Sequence, residues 1–279
     1  MTSQALDRAI LGRHPLPPVT DGDKDSKGSI LVIAGSGEVP GAALLTATAA
    51  MRAGAGKLTI ATVEHAATAL GIALPEARVV GLPEYRMDSD RLAELIGEAD
   101  AIVAGPGMMD GGSCAAVAKR LIDCDCPVAL DAGLLHELKP LEKARETAPV
   151  LLPHSGELAS LLNCDEVDVE RDPVGAGRRA AEQFKSVVLV KGPTSHVVTP
   201  DGETWIYDGG SSGLGVSGSG DVLAGIVGGL LARGTEPLTA LLWGVWLHGE
   251  AGTALTSKVG PLGFLAREIA REVPALLPH

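Results

Sequence analysis

Short runs of aliphatic and β-branched residues alternate along the chain with longer stretches in which apolar residues recur at helical spacing. Residues 29–34, 57–63, 77–82, 101–104, 127–130, 149–152 and 187–191 read as strands, most apolar enough to be buried on both faces. Residues 40–53, 65–74, 89–99, 113–122, 173–184 and 237–255 read as helices, with a terminal helix from about residue 265. In the 89–99 helix, Asp90, Glu94 and Glu98 mark the solvent side. Two further short strands, 196–199 and 204–207, flank Pro200-Asp201-Gly202-Glu203 and predict a hairpin. Residues 1–28 are polar and proline-rich, an arm followed by a loop and not a core element, and 256–263 reads as a mobile connection. Strands that alternate with helices predict one α/β domain over 1–279, with a mainly parallel central sheet and an antiparallel hairpin at one edge.

Composition sharpens this picture. Hydrophobic residues make up 46% of the 279, aromatic ones only 3%, and there are 36 glycines. Small and aliphatic side chains must therefore do the packing, which suits helices lying close on a parallel sheet. The net charge of −12 argues against nucleic acid or an anionic membrane as the main partner. Any anionic substrate then needs local backbone amides, lysines or a cation. Cys114, Cys124, Cys126 and Cys164 have the spacing of neither a zinc site nor a disulfide scaffold. With no basic-then-apolar start and no long glycine-poor apolar run, the expected setting is the cytoplasm.

The densest chemistry lies at 213–229, Gly-Leu-Gly-Val-Ser-Gly-Ser-Gly-Asp-Val-Leu-Ala-Gly-Ile-Val-Gly-Gly. A glycine-rich turn that feeds a helix directs backbone N–H groups, and the positive end of the helix dipole, at one point. A phosphate is the natural occupant. Asp221 stands where it would approach, and either takes a proton, holds a cation or merely caps the helix. Strand-end loops at Gly35-Ser36-Gly37, Gly105-Pro106-Gly107, Asp131, Pro153-His154-Ser155-Gly156-Glu157 and Lys191-Gly192-Pro193-Thr194-Ser195 fall on one sheet edge, where α/β sheets bind ligands. Asp131 and Glu157 are the candidate cation ligands; each is also suited to anchoring a loop.

In their order along the chain, these stretches, with Pro40-Gly41-Ala42-Ala43, Arg52-Ala53-Gly54-Ala55-Gly56 and Gly218-Ser219-Gly220-Asp221-Val222-Leu223-Ala224-Gly225, resemble the ADP- or ATP-dependent NAD(P)H-hydrate dehydratases of the ribokinase-like superfamily, which is carbohydrate-kinase-like. The likeness spans about residues 12 to 255. It implies a ribokinase-like three-layer sandwich and a repair reaction, in which the ring hydroxyl of hydrated NADH or NADPH is phosphorylated and phosphate is then eliminated. By position, Asp221 would be the base, and the amides of Gly218, Ser219, Gly220 and Asp221 would steady the transferred phosphoryl group. Lys191, Gly192, Pro193, Thr194, Ser195 and Gly220 would line the nucleotide site. Ala42 or Ala43, Gly107, His154 and Asp221 would contact the hydrated dinucleotide. Magnesium is expected with the nucleotide, and a homo-oligomer, such as a tetramer, as the assembly. The epimerase domain often fused ahead of such a domain is not expected here.

The chain departs from the family pattern at Gly133, where a second Asp is usual, and at Ser155, where Pro is usual. It also differs at Ser211, Ser212 and Val216 in the loop ahead of the glycine motif. Two other readings use the same motifs: an ATP-dependent kinase of a small hydroxylated metabolite, such as a thiazole or pyrimidine alcohol, and a non-catalytic nucleotide-binding regulator.

Overall fold

The computed structural model describes residues 3–18, 23–24, 26–109 and 112–278. Its ten strands are β1 (Gln4–Ala5), β2 (Ser29–Ile33), β3 (Lys57–Val63), β4 (Arg78–Leu82), β5 (Ala101–Ala104), β6 (Val128–Leu130), β7 (Val150–Leu151), β8 (Val187–Val190), β9 (Ser195–Val198) and β10 (Thr204–Tyr207). They form one sheet in the order β1-β10-β9-β8-β7-β6-β5-β2-β3-β4. From β8 to β4 every pairing is parallel, and β9 is antiparallel to both β8 and β10. The core strands contain almost nothing but Ile, Leu, Val and Ala, and both of their faces are covered.

The helices are α1 (Arg8–Arg13), α2 (Gly41–Arg52), α3 (Glu64–Ala73), α4 (Asp90–Gly97), α5 (Gly112–Asp123), α6 (Ser155–Leu162), α7 (Glu166–Arg171), α8 (Pro173–Phe184), α9 (Ser219–Ala232), α10 (Pro237–Lys258) and α11 (Ala266–Leu276). Helices α2, α9, α10 and α11 pack on one another over one face of the sheet. Right-handed crossovers put α4 to α8 on the other. The ribokinase-like sandwich with an antiparallel edge pair follows. Among the described residues, no helix is long and apolar enough to cross a membrane.

Helix α9 can lie this close because its inner face is glycine. A Cβ on Gly225 would overlap the Thr46 carbonyl and come within 2.8 Å of Ala49 Cβ. One on Gly228 would meet Ile30 Cδ1 at 2.8 Å and Val103 Cβ at 3.0 Å. The buried alanines of α2 (Ala43, Ala47, Ala50) complete the small-residue seam. With few aromatics to fill space, close backbone approach supplies the packing.

The topology reverses between β2 and β5. The chain runs outward from β2 through β3 to β4, then returns to β5 on the other side of β2. The crevice outside the carboxyl ends of the strands at such a point is the common ligand position in open α/β sheets. Gly35 and Gly105 follow the two strands there, tied by Gly35 N–H to Pro106 O (2.8 Å) and Gly105 N–H to Ile33 O (3.0 Å).

Three expectations need correction. The N-terminal segment is part of the core: Leu6, Ile10 and Leu11 are buried, Leu6 N–H donates to Ile206 O, and Trp243 Nε1–H donates to His14 O. A strand of two residues carries no pattern of its own and exists because β10 offers an edge. The arm-and-loop expectation for residues 1, 2, 19–22 and 25 falls outside the described residues. Helix α10 continues to Lys258, into the span expected to be mobile. A short helix, α7, also occupies a stretch where none was expected. Trp243 and Trp246 of α10 are buried, edge to face at 5.8 Å.

Gly225→Ala should lower stability by about 1–3 kcal/mol through overpacking against α2. Gly97→Ala, in α4 with open space at the Cβ position, should leave stability unchanged or raise it. Urea melts of the two variants check this.

Candidate active site

Helix α9 begins at a left-handed Gly218 (φ 86°), whose missing Cβ leaves room for Leu45. No side chain caps the helix. Asp221 therefore does not serve as the N-cap; it is the third helical residue. Ser219 N–H is taken by Val216 O at 3.1 Å, while helical geometry gives the N–H groups of Gly220 and Asp221 no acceptor within the helix. Of the four expected amides, that of Ser219 is thus claimed, and those of Gly220 and Asp221 stand at the helix start beside a carboxylate.

A buried charge network faces this helix start. Asp131, at the end of β6, is 3% exposed, and its Oδ1 accepts from Ala132 N–H (2.9 Å) and from Lys191 Nζ (2.7 Å). Its carbonyl lies where a side chain on Gly105 would be, so only glycine fits there. Lys191, just past β8, also stands 3.7 Å from Glu157 Oε2, and its backbone N–H donates to Pro153 O. Glu157 in turn accepts from His154 N–H at 2.8 Å. His154 Nδ1 accepts from Gly156 N–H at 3.0 Å, which caps α6 and leaves the ring proton on Nε2, 3.4 Å from Glu157 Oε1. Most of the His154 ring remains exposed on the ligand side.

Electrostatics follow from burial. Burial raises the Asp131 carboxyl against the pull of Lys191. Burial disfavours the Lys191 ammonium, but Asp131, Glu157 and Asp221 together hold it above its ordinary value. Asp221 is pushed up to about 6, first by burial and then by the Asp131 carboxylate, with Lys191 opposing. A carboxylate that titrates near neutrality is suited to accept a proton at working pH.

Gly220 forms the floor between these groups. A Cβ there would lie 3.7 Å from Lys191 Nζ and 3.9 Å from Asp131 Oδ2. The glycine leaves the Lys191 ammonium and the Asp131 carboxylate facing one small space. The turn from Lys191 to Ser195 borders it on the β9 side, with Gly192 and Pro193 exposed. On the opposite side, toward the β2–β5 crevice, Gly107 packs on Ala42 and Gly35. Ala42 and Ala43 are buried in the first turn of α2, so their contribution to a ligand is backbone and shape. A cleft of about 450 Å³ between Gly28, Asp100 and Glu236 contains none of the expected site residues.

His248 was not anticipated. From α10 its Nε2 lies 3.0 Å from Ser219 Oγ and 3.1 Å from Ser219 O, and burial lowers its pKa to about 4. It stays neutral and ties the first turn of α9 in place. A lone histidine in an apolar helix carries no pattern that would signal this.

Asp131 and Glu157 do not make a ligand set for a resident divalent cation. Both face the Lys191 ammonium, and no group of three or more His, Cys, Asp or Glu among the described residues could hold a metal.

The sheet order, the helices on both faces and the antiparallel edge pair define a ribokinase-like fold. A ribokinase-like protein of Enterococcus faecalis has the same fold, with TM-score 0.84 at 24% identity over 98% of this chain and 95% of its own. The chain belongs to the NAD(P)H-hydrate dehydratase family, whose model matches residues 30–275. It is 45% identical to an ADP-dependent (S)-NAD(P)H-hydrate dehydratase of Xanthomonas campestris, over 98% of this chain and 96% of the relative. It also resembles the Bacillus subtilis ADP/ATP-dependent NAD(P)H-hydrate dehydratase co-crystallised with ATP/Mg²⁺, with TM-score 0.88, 28% identity, and 99% and 98% of the two chains covered.

The raised Asp221 has a consequence for stability. Folded, it keeps its proton to about pH 6; unfolded, it releases it near the ordinary carboxylate value of about 4. Its ionisation above that window therefore disfavours the folded state. Asp221→Asn should raise Tm relative to the parent at pH 8, with the gain shrinking through pH 6 and vanishing near pH 4. Calorimetry across this range checks it.

Proposed function

We infer that this protein repairs hydrated NADH or NADPH, using ADP or ATP as phosphoryl donor. The observation that carries this reading is Asp221: one carboxylate, titrating near 6, at a helix start with two unclaimed amides. Family membership supplies the substrate.

The hydroxyl of the hydrated nicotinamide ring faces Asp221, which takes its proton as the oxygen attacks the terminal phosphorus of the nucleotide. The bond from that phosphorus to its bridging oxygen breaks, so ADP leaves as AMP and ATP as ADP. The Gly220 and Asp221 N–H groups, with Lys191 alongside, steady the negative charge in transit. The phosphorylated ring then expels inorganic phosphate, loses a proton from the adjacent ring carbon and regains its double bond. Each cycle yields one reduced cofactor, one phosphate and one shortened nucleotide. Lys191, Gly192, Pro193, Thr194 and Ser195 border the nucleotide, while Gly107, His154 and the start of α2 border the dinucleotide. Magnesium carried by the nucleotide would supply further charge neutralisation beside Lys191.

The test is incubation of the protein with hydrated NADH, magnesium and ADP, ATP or no nucleotide, following recovery of reduced-nicotinamide absorbance. Recovery should depend on nucleotide and match phosphate release one to one. Phosphate retained on the product would instead mean a kinase, and no recovery with either nucleotide would overturn the reading. Asp221→Asn should keep nucleotide binding and lose at least about a hundredfold in turnover, the scale of general-base catalysis.

A further inference from the structure

A cleft of about 500 Å³ opens in the β2–β5 crevice, next to the Gly107 side of the site. Gly35 and Ser36, at the end of β2, line one part of it; Tyr85, Met87, Met108 and Met109 line another. Two buried hydroxyls at this cleft have no hydrogen-bond partner among the described residues: Ser113 Oγ in its lining, and Thr62 Oγ1 beneath Gly35. Thr62 is fully buried, 3.2 Å from where a Gly35 Cβ would lie. Unpaired buried hydroxyls are costly, and Ser113 Oγ in the lining points to a polar ligand atom that completes it. The mouth shows the opposite character. Tyr85 is 88% exposed and Met109 54%, an aromatic ring and a thioether left uncovered. Such a pair suits the face of a planar base.

Glu84 adds a charge at one specific place. It lines the cleft, and its Oε1 lies 3.5 Å from Gly37 N–H, over the turn that leads from β2 into α2. Helix α2 has no side-chain cap, and its first-turn amides have no acceptor within the helix; Ala42 N–H donates to Val39 O, ahead of it. A dinucleotide with its nicotinamide near Gly107 and Asp221 would thus pass its pyrophosphate over the start of α2 and bring its second nucleoside to the cleft.

We propose that this cleft receives the adenosine half of the hydrated dinucleotide and that Glu84, by accepting from the ribose hydroxyls, makes hydrated NADH the better substrate over hydrated NADPH. The proposal rests on the repair reaction inferred above. A free 2′-hydroxyl donates to a carboxylate, whereas a 2′-phosphate meets it as a like charge. Tyr85 and the methionines carry the base, and Ser113 meets a polar atom at the cleft wall.

Two measurements test this. In the repair assay with saturating ADP, kcat/KM should favour hydrated NADH by about tenfold or more. Glu84→Gln should move that ratio toward one, and Tyr85→Ala should raise KM for both dinucleotides while leaving KM for ADP unchanged. Separately, Asp221→Asn protein saturated with ATP should bind ADP-ribose more tightly than 2′-phospho-ADP-ribose in a calorimetric titration. A ratio unaffected by Glu84→Gln, or no binding of ADP-ribose, would overturn the proposal. Repair of neither dinucleotide by the parent protein would sink the reaction itself, while the titration would still report on the cleft.

Discussion

The Lys191–Asp131 ion pair is the constraint on which the site depends. Two charges this deep persist only because each compensates the other, and Glu157 adds a second carboxylate that holds the ammonium charged. The pair joins the ends of β6 and β8 across β7, so it exists only when the sheet is assembled in order. Burial first raises Asp221, and the field of the pair then adjusts it. The Asp131 carboxylate raises that group and the Lys191 ammonium restrains it, and the outcome is a base near neutrality and not an ordinary surface acid. The same ammonium faces the space above Gly220, where transferred charge would develop.

Rigid packing keeps these groups in register. Helix α9 reaches the site because Gly225, Gly228 and Gly229 let it rest against α2 and the sheet with almost no intervening side chain. His248, neutral inside α10, holds Ser219 and with it the first turn. The two ligand sides then diverge from one point. The Lys191 to Ser195 turn opens toward the β9 edge, and Gly107 opens toward the β2–β5 crevice. A phosphoryl donor and a dinucleotide can so approach Asp221 from opposite directions.

Much of this was legible in the residues, for identifiable reasons. Runs such as Ile30–Ala34 and Leu58–Val63 announce strands because a parallel strand covered on both faces must be apolar throughout. The glycine motif announces an anion site because its backbone needs cannot be met otherwise. Asp131 and Glu157 were visible as strand-end acids, but Lys191 as their shared partner was not, since it lies 60 residues from Asp131. That left a cation-ligand role open which the ammonium fills. The N-terminal strand and helix escaped notice because Leu6, Ile10 and Leu11 are too few to form a pattern, and their order derives from β10 and the α10 tryptophans. His248 acts through geometry alone.

The central claim is that Asp221 is the base and that its surroundings, not its residue type, give it a near-neutral pKa. The most direct measurement is the pH dependence of kcat/KM for hydrate repair at saturating ADP, in the parent and in Asp131→Asn. The account predicts an acidic limb near pH 6 in the parent, with activity rising as pH increases, and a limb displaced to lower pH once the Asp131 charge is removed. A limb in the ordinary carboxylate range near about 4, or one that Asp131→Asn leaves in place, would contradict it.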